Sequence, residues 1–220
     1  MKLLKHVVRN MDQNVYIFFD ENTKEGVVVD PGNDAEAIEK IIDDNNVDVK
    51  AILLTHGHSD HTGAANAVKK RYNIPICAHK WEVPVLDDEA ISFSSMFGGE
   101  GKITVDKEFN DSDEFKFNNC TLKVIHTPGH TQGGVCYYDA EHKVLFSGDT
   151  LFYGSVGRTD FPNPPMKDGM GFPSSENTQR LLSAIKEKLY VLPDDVQVFP
   201  GHGGASRIGF EKQFNPFVKG

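Results

Sequence analysis

The sequence predicts an α/β protein in which two β-sheets pack face to face with helices outside. Three observations carry this reading. Apolar strand-like runs alternate with amphipathic helical stretches through the N-terminal third, in the order β–α–β–α–β. After an irregular stretch, four short strand patterns return, followed by one more helix and one more strand. Both halves therefore share a plan of paired strands and helix-containing connections, although no internal repeat aligns.

Taken in order, NVYIFFD and GVVVD are rich in β-branched and aromatic residues and read as strands joined by the turn-rich ENTKE. DPGNDAEAIEKIIDDNN gives a turn and a helix with Ala37, Ile38, Ile41 and Ile42 on one face. VKAILLT is a short apolar strand, TGAANAVKKRY a helix and IPICAH a strand. Residues 84–113 show little periodicity and carry Gly98, Gly99 and Gly101, so they read as a loop over one edge. DEFKF, TLKVIHT, GGVCYYD and KVLFSGD are four strands separated by turn signals. The Gly- and Pro-rich stretch FYGSVGRTDFPNPPMKDGMGFPSS reads as mostly loop, and long loops in compact domains are often functional. NTQRLLSAIKEKLYVL is a helix with Leu181, Leu182, Ile185 and Leu189 as its apolar stripe, and DVQVFPGHGG is a strand running into a glycine turn.

Nothing in composition interrupts this plan, so residues 1–220 read as a single domain. A net charge of −9 argues against nucleic-acid binding, which needs a basic stripe, and weakly against acidic membrane surfaces. The start, MKLLKHVVRNMDQN, lacks the continuous apolar segment of a signal peptide, and no run approaches a membrane span. Cys77, Cys120 and Cys136 are odd in number and unpatterned, which fits buried reduced thiols. The expectation is a cytoplasmic protein with no membrane partner.

Four polar motifs directly follow apolar strands: ILLTHGHSDH, VIHTPGHT, VLFSGDT and VFPGHGG. A strand end is a rigid mount, and the adjacent glycines let the backbone turn sharply there. The presented groups are all imidazole or carboxylate: His56, His58, Asp60, His61, His130, Asp149 and His202. One histidine at a strand end needs no special explanation. A dense cluster does, because polar side chains buried without partners are costly. Such donors suit zinc, iron or manganese. Seven are too many for one tetrahedral ion, but they suit two divalent ions if Asp149 bridges.

THGHSDH, TPGHT, SGDTLF and PGHG, in this order over nearly the whole chain, resemble the metallo-β-lactamase superfamily. The resemblance implies a four-layer αββα sandwich with a metal centre at one sheet edge. It implies that His56, His58 and His130 hold one ion, that Asp60, His61 and His202 hold a second, and that Asp149 bridges. Zinc is the expected metal, with iron or manganese as alternatives. Asp60 and Asp149 are the carboxylates expected to serve catalysis as well. GDTLF, GRTDFP and PGHG…NPF further resemble the short glyoxalase II-like, or hydroxyacylglutathione hydrolase-like, enzymes. That implies hydrolysis of a small-molecule thioester, such as an S-hydroxyacyl-glutathione, by a hydroxide held between the ions. Two departures stand out. The chain ends about where that family's C-terminal glutathione-binding domain begins, and Arg158 and Asp160 stand where the family offers a lysine and a tyrosine. Arg158 remains a candidate to grip a substrate carboxylate. Asp30, in VVVDPG, is the candidate to orient the histidine loop by hydrogen bonding. Persulfide dioxygenases share the histidine run and a GRTDF stretch, and would use one iron on His56, His130 and Asp149; their last motif reads PAHDY, against PGHG here. His79 and His126 read as structural, His6 and His142 as surface residues. Loops 87–111 and 153–175 are expected to shape the pocket.

Overall fold

Alternation along the strands sorts the apolar side chains into separate layers. In the computed structural model, which describes residues 1–9, 11–97, 102–165 and 171–220, the first sheet runs β1 (Lys2–Val7), β2 (Asn14–Phe19), β3 (Glu25–Val29), β4 (Asp48–Leu53), β5 (Ile76–His79) and β6 (Lys107–Phe109), hydrogen-bonded in that order. Along β2, Val15, Ile17 and Phe19 enter one apolar cluster while Tyr16 and Phe18 enter another.

The second half supplies β7 (Glu114–Phe117), β8 (Cys120–His126), β9 (Val135–Asp139) and β10 (Val144–Gly148). Next come a small hairpin, β11 (Leu151–Phe152) and β12 (Ser155–Val156), then β13 (Gln197–Pro200) and β14 (Ser206–Arg207). The second sheet is ordered β14-β13-β10-β9-β8-β7. Tyr16, Phe18, Val27 and Leu53 of the first sheet meet Leu122, Val124, Tyr137 and Phe146 of the second in one shared core.

Helices cover the outer faces. On the first sheet lie α1 (Ala35–Asp44), through Ile38 and Ile42, and, beyond the short α2 (Ser59–Thr62), α3 (Ala65–Tyr72), through Ala65 and Val68. Two further single turns, α4 (Val83–Leu86) and α5 (Ser94–Phe97), follow β5. On the second sheet, α6 (Asn177–Ala184) and the π-helical turn Ile185–Leu189 bury Leu181, Ile185 and Leu189, and Ile208 of α7 (Ile208–Phe214) joins them. The result is the expected αββα sandwich. Among the described residues, no helix is long and apolar enough to cross a membrane.

The structure corrects the sequence reading in two places. The start of the chain forms β1, paired antiparallel with β2 from Lys2 to Val7. It is an edge strand, half-buried or exposed throughout, so its lysines and histidine hide the alternation. Residues 84–113 are not loop alone: they contain most of α4, all of α5 and the edge strand β6, which pairs in parallel with β5. Pro84 sits in the first turn of α4, where a missing N–H costs nothing. Parts of both expected pocket loops, 98–101 with Gly98, Gly99 and Gly101, and 166–170, lie outside the described residues, as does Asn10.

Strand directions place the motifs. β8 and β10 both pair antiparallel with β9, and β10 pairs in parallel with β13, so β8, β10 and β13 point the same way. His130, Asp149 and His202 follow their C-terminal ends. β3 and β4 are parallel, and Asp30 and the 55–61 loop follow theirs.

Candidate metal centre

Asp30 organises the first loop. It adopts φ of 49°, a left-handed conformation unfavourable for a side chain other than glycine, and it is 2% exposed. Its Oδ1 accepts from the Thr55 N–H at 2.7 Å, and its Oδ2 from the Thr55 hydroxyl at 2.6 Å and His61 Nδ1–H at 2.9 Å. These bonds offset the strain and fix the His61 ring. On the facing sheet, Gly148 has φ +47°, and a Cβ there would fall 2.3 Å from Thr55 Oγ1. Only glycine lets the end of β10 approach so closely and turn to present Asp149.

The folded chain brings the seven expected donors together. Ligand atoms of His56, His58 and His130 lie within 4.8 Å of one another, and so do those of Asp60, His61 and His202. Asp149 stands between the trios: its Oδ2 is 3.5 Å from His130 Nε2 and 3.6 Å from His202 Nε2, and its Oδ1 is 3.3 Å from His61 Nε2. Asp60 Oδ2 is 3.2 Å from His202 Nε2.

Partners behind the rings set the tautomers. His130 Nδ1–H donates to the Arg158 carbonyl at 2.8 Å, and His61 Nδ1–H donates to Asp30. The Thr55 hydroxyl, committed as donor to Asp30, accepts from His56 Nδ1–H at 3.1 Å. The His56 and His130 rings therefore turn a bare Nε2 towards the cluster, while His61 turns its Nε2 towards Asp149. His56 Nε2 and Asp149 Oδ1 are buried without any hydrogen-bond partner. Lone pairs facing lone pairs in a buried space are unfavourable unless a cation lies among them, so the donor set fits divalent metal.

Electrostatically the imidazoles divide into neutral rings and those, His61 among them, that favour the proton. Burial, then the neighbouring imidazoles, pushes His56 well below the ordinary histidine range. Burial also lowers His130, and takes His58 down to about 3. Burial opposes charge at His61 too, yet Asp149 and Asp60 hold its pKa well above the usual value. Asp60 and Asp149 are held low by the surrounding histidines despite burial, so both stay ionised at neutral pH.

A cavity of about 470 Å³ opens onto His58, His130, Asp149 and His202. Its apolar walls are Met11, Phe93, Met96, Phe152 and Phe161. Phe93 and Phe161 pack on the His58 ring at 5.1 and 4.9 Å between centroids. Arg158 lies at the rim, paired with Asp160 at 2.8 Å and stacked over Phe161 at 4.7 Å. It thus faces the cavity while already holding a carboxylate.

Several supporting residues have no motif to announce them. Asn14 and Tyr16 of β2 both donate to the Pro200 carbonyl, at 2.9 and 2.8 Å, and tie down the turn that carries His202. Glu82 is a third such residue. His79 and His126 stack on each other at 4.1 Å, outside the cluster. His6 and His142, expected at the surface, are half-buried and lie 3.3 Å from Asp34 and 2.7 Å from Asp139. The three cysteines are free and buried, as expected.

An αββα sandwich with an all-histidine trio adjoining an Asp/His/His trio at the ends of its central strands defines a class of metal-binding hydrolases. The chain belongs to the metallo-beta-lactamase superfamily, whose family model matches residues 9–202. It is 34% identical to the hydroxyacylglutathione hydrolase GloC of Haemophilus influenzae over 214 residues, covering 96% of this chain and 95% of that one. The BLEG-1 B3 metallo-beta-lactamase crystal structure is similar over 100% of both chains, at 35% identity and a TM-score of 0.85. TTHA1623, solved in a di-iron-bound form, is 29% identical with a TM-score of 0.81, covering 98% of this chain and 100% of that one.

Proposed function

We propose that this protein hydrolyses a small-molecule thioester, such as an S-hydroxyacyl-glutathione, at a centre of two divalent ions, zinc being the expected metal. The observation that carries the reading is the place of Asp149, within 3.6 Å of imidazole nitrogens from both trios. In this reading His56, His58 and His130 would hold one ion, Asp60, His61 and His202 the other, and Asp149, between the trios, would serve both. When bound, such a pair supplies a water acidified towards neutrality and polarisation of a carbonyl oxygen.

The residues of the chain do the rest. Asp60 and Asp149, kept ionised, accept hydrogen bonds from the attacking water and orient it. Phe93, Phe161 and Met96 exclude bulk water and hold the apolar part of the substrate. Arg158 grips a substrate carboxylate by exchanging it for Asp160. A thiolate leaves without a proton donor, and none of the cavity residues needs to supply one. GloC, similar over nearly its full length, supports the thioester. Against a persulfide dioxygenase, with a single iron on His56, His130 and Asp149, stands the last motif, PGHG at 200–203 in place of PAHDY.

The test is hydrolysis of S-lactoylglutathione by zinc-loaded protein beside a His56→Ala control. Turnover that requires metal and disappears in the control is expected. Oxygen uptake with glutathione persulfide, and no thioester turnover, would replace this reading with the dioxygenase.

A further inference from the structure

We infer that Glu82 is a positioning residue that straps together the two loops bearing His56, His58 and His130, and that it acts on this trio selectively. The inference rests on the assignment of that trio to one metal ion.

Glu82 ends the turn Lys80–Glu82 after β5 and is 1% exposed. Its Oε1 accepts from the Gly57 N–H at 2.7 Å. Its Oε2 accepts from the Thr131 hydroxyl at 2.9 Å and from the Gly133 N–H at 2.8 Å. Gly57 lies between His56 and His58, and Thr131 directly follows His130. One carboxylate therefore joins a loop of the first sheet to a loop of the second, behind the three imidazoles.

A side chain that only filled space here would be apolar. A buried carboxylate is costly, and among the described residues Glu82 has no lysine or arginine ion pair. Burial accordingly pushes its pKa up to about 7, against the pull of its three donors. The neighbouring backbone is shaped around it: a Cβ on Gly133 would fall 2.2 Å from Glu82 N, and one on Gly57 would fall 3.1 Å from Glu82 Oε1. The other trio is held differently, with His61 anchored by Asp30 and the His202 turn by Asn14 and Tyr16.

Both carboxylate oxygens face donors, so the isosteric Glu82→Gln must turn its NH₂ towards one loop and break that strap while preserving volume. The experiment is zinc titration against a chromophoric chelator, with and without Glu82→Gln, in the intact chain and in a His202→Ala background that isolates the first trio. The melting temperature of each metal-free protein is recorded alongside. The expected result is a 10–100-fold weaker Kd at the His56, His58, His130 site, with the other binding step and the metal-free melting temperature little changed. Unchanged affinity, or equal weakening of both steps, would overturn the strap. If Glu82→Gln does not fold, Thr131→Val removes one of the three bonds at constant volume. A several-fold weakening confined to the same site supports the inference, and none overturns it. Failure of the metal assignment itself is read separately, as absence of zinc binding at this trio in the unsubstituted Glu82 protein.

Discussion

At Asp30 the strain of a left-handed aspartate is exchanged for control over an imidazole. Replacing it with asparagine removes the carboxylate that fixes His61 and Thr55, while leaving the volume intact. The expected outcome for Asp30→Asn is a 10–100-fold loss of metal affinity, read by chelator competition, with little change in the far-UV circular dichroism spectrum. The donors themselves were legible in the sequence because each sits in a local motif, an imidazole or carboxylate beside a turn at a strand end. Asp30 was picked out by the family resemblance, since a lone aspartate before proline reads equally as a plain turn. Glu82 was not, since its partners lie 25, 49 and 51 residues away and nothing in KWEVP marks it as buried. Arg158 was read as a candidate substrate contact, and it stands at the cavity rim already paired with Asp160.

Among the elements, β5 and β8 end in histidines that stack across the two sheets, His79 on His126 at 4.1 Å. Burial lowers their pKa values to about 3 and about 4, with His126 and Lys80 further opposing charge on His79, and Lys188 opposing it on His126. An unfolded histidine titrates near 6.5. As pH falls from about 6.5 to 4 the unfolded state therefore takes up protons that the folded state refuses, and stability is lost across that window. The melting temperature should fall less steeply over this range in His126→Gln than in the parent, as measured by thermal scans on metal-free protein. Identical slopes would remove this stack from the acid response. Interior strands were readable here from their runs of β-branched and aromatic residues, buried on both faces, whereas β1 and β6, on the edges, were not. An edge strand buries too little to need a regular pattern, and β6 has three residues in which to show one. Helix α6 was readable as a stripe, but its passage into a π-helical turn at Ile185–Leu189 was not.

For the molecule as a whole, the sandwich explains why donors scattered from residue 56 to residue 202 meet. Two sheets packed through one apolar core bring the C-terminal ends of β4, β8, β10 and β13 to one rim. The layered plan was readable because both halves repeat it. The walls of the cavity were not, since Met11, Phe93 and Met96 come from segments with no periodic signal. The central claim is that this rim holds two ions with Asp149 between them. The most direct measurement is zinc content per chain after equilibrium dialysis, by inductively coupled plasma mass spectrometry, for the native protein and Asp149→Ala. Two equivalents are predicted for the native protein, falling to one or fewer in the variant. A single equivalent in the native protein, undiminished by the substitution, would contradict the two-ion centre.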